Sequence, residues 1–254
     1  RDRRYRYPFI NCVNCGPRFT IIEDTPYDRV KTTMREFTMC AACRAEYENP
    51  CDRRFHAEPT ACAACGPRLY LTDENGRELE RGHDAIGRAR EVLLRGRILA
   101  IKGVGGFHLA CDAAIPEAVE RLRRRKCREY KPFALMAGSI EMIEEYCSVS
   151  RLELELLFST QRPIALLARK PQSALSDWPR AVAPGLNSLG FMLPYAPLHH
   201  LLLEGLDRPL VMTSGNVSDE PICYENRDAL ERLSKIADYF LLHDRRIYIR
   251  ADDS

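Results

Sequence analysis

The sequence predicts an α/β protein in two unlike parts: a small zinc-finger module with an internal repeat, then an α/β domain on a twisted, mixed sheet. Three observations carry this. Seven of the eleven cysteines fall within the first 65 residues, and six of those form C-x-x-C pairs. The segment around those pairs is written twice. From about residue 84 onward, short apolar strand patterns mix with helical ones without strict alternation.

The module comes first in the chain. Residues 1–19, RDRRYRYPFINCVNCGPRF, align with 51–69, CDRRFHAEPTACAACGPRL, and eight of the nineteen positions are identical. The matches include Arg3/Arg53, Arg4/Arg54, both cysteines and Gly-Pro-Arg, so the two segments are copies with a period near 50. The second copy carries a whole ligand set. Cys40 and Cys43 are followed, after eighteen residues, by Cys62 and Cys65. Two C-x-x-C turns at that spacing present four thiolates to one tetrahedral zinc ion. Four sulfurs leave no position for water, so the expected role is structural. Cys12 and Cys15 match Cys62 and Cys65, and the partners that this register gives them lie ahead of Arg1. They read as the back half of a first, truncated finger, and the chain as part of a longer protein. Thiols this numerous beside a cysteine-poor half point to a reducing, cytoplasmic setting rather than a disulfide framework.

Composition excludes other classes. Hydrophobic residues make up 45% of the chain, enough for a sizeable core. No apolar run is long enough to span a bilayer. A formal net charge of +2 argues against a general polyanion binder.

Past the turn signal at Asn75-Gly76, AIGRAREVLLRG reads as a helix closed by Gly96, and RILAIKG as a buried strand. Helices are expected at PEAVERLRRRK, SIEMIEEYC, RLELELLFS, PLHHLLLEGL and NRDALERLSKIA. Strands are expected at PFALMA, PIALLAR, SLGFMLP, PLVMTSG, DYFLLH and RIYIR.

Three stretches look chemical. KGVGGFHLACDA, residues 102–113, has glycines after a strand, which allow close backbone approach to a ligand. RRRKCREYKP, residues 123–132, ends a helix in basic residues. These either complement the helix dipole or gather Lys126, Arg128 and Lys131 round a polyphosphate. PLVMTSGNVS, residues 209–218, ends a strand in Thr213, Ser214, Gly215 and Asn216, groups suited to phosphate or carboxylate oxygens. With no nucleophile-elbow serine and no Cys–His dyad, the implied chemistry is nucleotide positioning with charge stabilisation.

These residues carry a resemblance. DRRYRYPFINCVNCGPRFT, PYDR at 26–29 and DRRFHAEP before CAACGPR resemble the HypF family, the carbamoyltransferases of [NiFe]-hydrogenase maturation. AIKGVGGFHLACDA, Lys131-Pro132, APGLNSLGFMLPYAPLHHLL and PLVMTSGN resemble that family's YrdC-like domain. The resemblance implies a zinc-finger module at 1–70, a linker at 71–83 and a YrdC-like domain at 84–254, truncated at its end. It implies that carbamate from carbamoyl phosphate is activated with ATP and Mg²⁺ as carbamoyl-adenylate, and that the carbamoyl group passes to the C-terminal cysteine of HypE. The family's K-x-R…K-P pattern falls on Lys126, Arg128, Lys131 and Pro132, and its Ser-x-Asn on Ser214 and Asn216; these would hold the ATP phosphates, with Lys126, Arg128, Lys131 and Ser214 in the catalytic role. Phe107 stands where simpler YrdC proteins have Tyr. Arg245 and Arg250 are further nucleotide candidates in the tail. Two alternatives accompany this reading. One is a threonylcarbamoyl-adenylate synthase for tRNA modification, whose enzymes lack the zinc repeats. The other is a non-catalytic zinc module that binds RNA, double-stranded RNA included, with binding that falls steeply with salt.

Overall fold

The computed structural model describes residues 2–12, 16–170, 178–217 and 220–251. The module contributes two 3-10 turns, Arg29–Lys31 and Thr33–Glu36, and one helix, α1 (Ala41–Glu48). Ten strands follow, in one sheet: β1 (Leu69–Asp73), β2 (Glu78–Arg81), β3 (Leu99–Lys102), β4 (Phe107–Asp112), β5 (Ala134–Met136), β6 (Cys147–Ser148), β7 (Ala165–Arg169), β8 (Ser188–Met192), β9 (Leu210–Ser214) and β10 (Tyr239–His243). The helices are α2 (Gly82–Leu94), α3 (Pro116–Arg125), α4 (Ile140–Tyr146), α5 (Arg151–Phe158), α6 (Trp178–Val182), α7 (Pro197–Leu203) and α8 (Asn226–Leu233).

Local chemistry sets the helix ends. Pro116 opens α3, where its missing N–H costs nothing. The Ser139 hydroxyl accepts from the Met142 N–H to cap α4, and Ser150 and Glu153 form a reciprocal capping box on α5. Gly96, at φ +70, takes the left-handed position just past α2.

Strand order across the sheet is β2-β1-β10-β3-β4-β9-β5-β8-β7-β6. The β10–β3 and β5–β8 pairs are parallel and the others antiparallel, so the sheet is mixed as expected. Every residue of β3 and β4 is buried, because both faces are covered. Side chains alternate between the faces. Ala100, Leu109 and Cys111 join Ala118, Val119 and Leu122 of α3 and Ala229 and Leu233 of α8. Leu99, Ile101 and Ala110 join Ile86, Ala89 and Leu93 of α2 and Leu198 and Leu202 of α7. Tyr7, Phe9, Ile21 and Met34 of the cysteine module belong to that second core. The module is therefore packed on the sheet and shares its apolar interior.

Two expected elements differ. The stretch 71–83, expected as a linker, holds most of a β-hairpin on the sheet edge: β1 pairs with β10 and β2 pairs with β1. Most of its polar residues face outward, while Leu69, Leu71 and Thr72 are buried. RIYIR, expected as a closing strand, pairs with no strand among the described residues. Its backbone is used elsewhere: Tyr248 N donates to Thr20 O at 2.7 Å, and Ala251 N to Gly105 O at 3.0 Å. The segment thereby fastens the module and the β3–β4 loop together. The glycines of that loop admit the protein's own chain. A Cβ on Gly105 would meet Ala251 O at 2.6 Å, and one on Gly106 would meet Ile222 Cδ1 at 2.8 Å.

Candidate functional site

The four cysteines of the second copy converge. Cys40 Sγ lies 3.8 Å from Cys62 Sγ, Cys62 3.8 Å from Cys65, and Cys65 3.6 Å from Cys43. All four sulfurs lie within 4.8 Å of one another. A tetrahedron with zinc–sulfur bonds of ~2.3 Å has edges of about 3.8 Å, so the donor set fits one zinc ion. Cys12 is exposed and outside this cluster, Cys51 is exposed, and Cys15 lies outside the described residues.

The repeat is also visible in the backbone. Arg4 N and Arg54 N donate to Asp2 Oδ1 and Asp52 Oδ1 at 2.7 and 2.8 Å. Gly16 N and Gly66 N donate to Cys12 O and Cys62 O at 2.9 and 2.8 Å. The repeated Asp-Arg-Arg thus makes a turn that buries its second arginine. Arg4 and Arg54 are only 3% and 5% exposed, so they are structural and do not face a nucleic acid. Arg4 of the first copy reaches into the second, donating to Ala61 O at 2.8 Å, to Cys43 Sγ at 3.3 Å and to Glu46. Arg3 donates to Cys43 Sγ at 3.1 Å. Such donors stabilise a thiolate in a metal-bound charge state.

In the sheet domain, the basic helix end and the polar turn meet. The chain leaves α3 through Cys127, at φ +51, and folds back on itself. Lys126, 3% exposed, donates through Nζ to Asn216 Oδ1 at 2.7 Å, to Asn216 O at 3.1 Å and to Ser214 O. Ser214 Oγ donates to the same Asn216 Oδ1 at 2.8 Å. Arg128 Nη1 donates to Thr213 Oγ1 at 3.2 Å. Arg128 and Arg123 lie over the Phe133 ring, at 5.0 and 4.6 Å from its centroid. Burial first, then the neighbouring Arg123, lowers the pKa of Arg128. Lys126 and Arg128 thus place two cationic groups against the backbone and hydroxyls of the Thr213–Asn216 turn. Gly215 fits against the Phe107 backbone, its N–H donating to Phe107 O at 2.6 Å, and a Cβ there would meet Phe107 C at 2.7 Å. Phe107 is wholly buried and packs in the core.

Three predicted site residues stand apart from this cluster. Lys131 is exposed, and its carbonyl, not its side chain, accepts from Arg123 and Arg128. Arg250 is exposed. Arg245 lies at another place, a cavity of about 1010 Å³ between the cysteine module and the sheet. That cavity is lined by residues 8–12 and 16–20, by Lys102 and the glycines after it, by 158–164, 194–200, His243 and Arg245. It does not include Lys126, Arg128 or Ser214. The chemistry expected of 126–131 and 213–216 therefore has its polar cluster, but the large hollow lies elsewhere.

Beside the cavity sit three buried basic groups. Burial lowers Lys102 to about 8, and its Nζ donates to His243 O at 3.2 Å. Burial lowers Arg245 to about 10. Burial, then Lys102 and Arg245, holds His243 well below its ordinary value. His243 therefore stays neutral in the fold, while in the unfolded chain it takes a proton below about pH 6.5. Its contribution to stability is present above that pH and is lost as the pH falls. Denaturant titrations should show a loss of about 1 kcal/mol from this group between pH 6.5 and 5.5. His243→Gln should lose that much less over the same interval; equal losses would refute the assignment.

The fold and these sites define a class: a four-cysteine finger module joined to an α/β sheet domain with a cationic polar turn. Comparison with known families agrees. The model described as telomere recombination, for Sua5, YciO and YrdC, matches residues 91–254, and the HypF finger model matches 1–22 and 39–72. The chain belongs to the Sua5/YciO/YrdC family. It is 54% identical to the carbamoyltransferase HypF of Rhodobacter capsulatus over 252 residues, 99% of this chain and 33% of that protein. The crystal structure of T. kodakarensis HypF aligns with a TM-score of 0.94 at 52% identity, covering all of this chain and 33% of that one. A structure of full-length HypF in a phosphate- and nucleotide-bound form aligns at 0.91 and 53% identity, covering 100% of this chain and 32% of that one. The threonylcarbamoyl-AMP synthase of Klebsiella pneumoniae is 30% identical over 145 residues, 55% of this chain and 74% of that protein. The chain thus spans about a third of the length of the HypF relatives it matches. Among the described residues, no helix is long and apolar enough to cross a membrane.

Proposed function

We propose that this chain performs the ATP-dependent activation step of a HypF-type carbamoyltransferase. The observation that carries this is the meeting of Lys126 and Arg128 with the Thr213–Asn216 turn. In the proposed step a carbamate oxygen attacks the α-phosphorus of ATP. The bond from that phosphorus to the bridging oxygen breaks, and carbamoyl-adenylate and pyrophosphate result. Lys126 and Arg128 hold the phosphates and offset the charge that builds on the leaving pyrophosphate, Ser214 hydrogen-bonds a phosphate oxygen, and Mg²⁺ arrives with the nucleotide. Asn216 holds both Lys126 and Ser214 in position. Lys131 and Arg250, both exposed, would act only on a part of the nucleotide that reaches the surface. Zinc at Cys40, Cys43, Cys62 and Cys65 fixes the module against the sheet; Cys12 and Cys15 serve a second ion.

The family's wider role follows as part of the same proposal. Carbamoyl phosphate is the source of the carbamate, HypE the acceptor of the carbamoyl group, hydrogenase maturation the process and the cytoplasm the place. The threonylcarbamoyl-AMP synthase alternative shares the sheet domain, but those relatives match only about half of this chain. An RNA-binding role finds little support, since Arg4 and Arg54 are buried.

The test is exchange of labelled pyrophosphate into ATP by the zinc-loaded chain, with ammonium carbamate supplied so that no upstream hydrolysis is needed. Exchange that requires carbamate is expected. Exchange supported by threonine with bicarbonate instead, or none with either, would contradict the proposal.

A further inference from the structure

The cavity between the cysteine module and the sheet has a chemistry of its own. Four cationic side chains, Arg18, Lys102, Arg162 and Arg245, contribute to its lining, and among the described residues no aspartate or glutamate does. Its volume, about 1010 Å³, exceeds what a small molecule needs, so selectivity must come from fixed polar groups. Those groups cluster at the module's end. Arg245 is 6% exposed and its guanidinium carbon stands 5.4 Å from the centre of the Phe9 ring. Its Nε meets no acceptor among the described residues. Asn11, two residues beyond Phe9, is 8% exposed, and both its amide oxygen and its amide nitrogen are without partners among the described residues. The buried Thr20 hydroxyl is in the same condition. The bond from Tyr248 N to Thr20 O brings the tail that carries Arg245 back over Thr20.

Buried polar groups are normally satisfied, and each one left without a partner opposes folding. Three belong to residues that line one cavity, drawn from segments more than 220 residues apart in the chain. A guanidinium fork takes a planar or tetrahedral oxyanion. A primary amide offers one acceptor and two donors, and so pairs with a group that has both an N–H and a C=O. A carbamoyl group joined to an anionic oxygen has both features.

We propose that this junction cavity binds the small carbamoyl-bearing anion of the reaction, with Arg245 on its anionic oxygens, Asn11 on its amide and Thr20 completing the cradle. The proposal rests on the carbamate-activation reading for the identity of the ligand; the site itself rests on the cavity. It divides the labour between two places. The triphosphate belongs to Lys126, Arg128 and Ser214, and the one-carbon substrate to Arg245 and Asn11. The β3–β4 loop joins them. Gly103, Val104 and Gly105 line the cavity, and Phe107, two residues further on, accepts from the Gly215 N–H of the polar turn. Arg245 is then a binding residue for the small substrate and not for the nucleotide.

Equilibrium titration of the zinc-loaded chain tests this with three probes: phosphonoacetamide, a stable isostere of carbamoyl phosphate; methylphosphonate, which lacks the amide; and ATP with Mg²⁺. Phosphonoacetamide should bind at least ~10-fold more tightly than methylphosphonate, the scale of one well-placed polar contact. Arg245→Gln should weaken phosphonoacetamide ~10-fold or more and leave ATP unchanged. Asn11→Ala should erase the preference over methylphosphonate, and Thr20→Val, the mildest change, should weaken phosphonoacetamide by a smaller factor. Lys126→Ala should do the reverse of Arg245→Gln. Zinc content and far-UV dichroism identify any variant that misfolds, and Thr20→Val then carries the test. Equal binding of the two phosphonates, or loss of ATP in place of phosphonoacetamide in Arg245→Gln, would overturn the proposal. Arg245-dependent phosphonoacetamide binding in a chain that shows no carbamate-dependent exchange would uphold the cavity and count only against the activation step.

Discussion

Cys62→Ser is expected to strip the zinc from the second finger and to unfold the module. Structural zinc contributes on the order of 10 kcal/mol to folding at neutral pH, far more than the few apolar residues of residues 1–68 can supply alone. Serine cannot replace a thiolate at the ion, and the three remaining sulfurs lose the tetrahedron measured between Cys40, Cys43, Cys62 and Cys65. The consequence should extend beyond the metal. Tyr7, Phe9, Ile21 and Met34 share a core with Leu99, Ile101 and Leu202, so releasing the module exposes one face of the sheet. The purified chain should lose the zinc ion held by the four-cysteine cluster, with an apparent melting point lowered by tens of degrees or aggregation in its place. Cys51→Ser, at an exposed site outside the cluster, should keep both zinc and stability. Full zinc in Cys62→Ser would show that the four sulfurs are not the ligand set.

The second large effect is expected at Lys126. Its ammonium group holds Ser214 O, Asn216 O and Asn216 Oδ1 at once, from a buried position at the turn. Lys126→Ala removes an interaction that strengthens as charge gathers on the leaving pyrophosphate. Loss of one such group typically lowers the rate 10²–10³-fold. Carbamate-dependent exchange should fall by about that factor. The carbonyls left without a donor should also cost about 1–3 kcal/mol of stability. Arg128→Ala, which gives up the Thr213 hydroxyl and the stack on Phe133, should cost exchange by a similar factor. Lys131→Ala should cost far less, since that side chain faces solvent. Exchange that falls equally in all three would mean that the basic stretch acts as a diffuse field and not as a clamp.

How much of this could be read from the sequence depended on whether a feature was local. The zinc ligands were legible because tetrahedral geometry imposes a spacing, and the repeat because both copies make the same turn on the same Asp-Arg-Arg. Lys126, Arg128, Thr213, Ser214 and Asn216 were legible as two separate polar words, which the antiparallel β4–β9 pairing and the turn after α3 bring together. Lys131 lies beyond the reversal at Cys127 and is exposed, a placement set by a backbone event with no signal in the letters. The hairpin at 69–81 was hidden because an edge strand shows solvent most of its side chains; all four residues of β2 are exposed. RIYIR alternates like a strand, yet Tyr248 and Ala251 spend their N–H groups on Thr20 and Gly105, contacts set by the whole fold. The cavity, and with it the roles of Asn11, Thr20 and Arg245, is assembled from six separated stretches, and no window of sequence contains it.

The account turns on where the triphosphate lies. A crystal structure of the zinc-loaded chain with a non-hydrolysable ATP analogue and Mg²⁺ decides this directly. The account predicts phosphate oxygens within about 3 Å of Lys126 Nζ, the Arg128 guanidinium and Ser214 Oγ, with Arg245 and Asn11 untouched. A triphosphate seated on Arg245 in the junction cavity, with Lys126 still bonded only to Ser214 and Asn216, would contradict it.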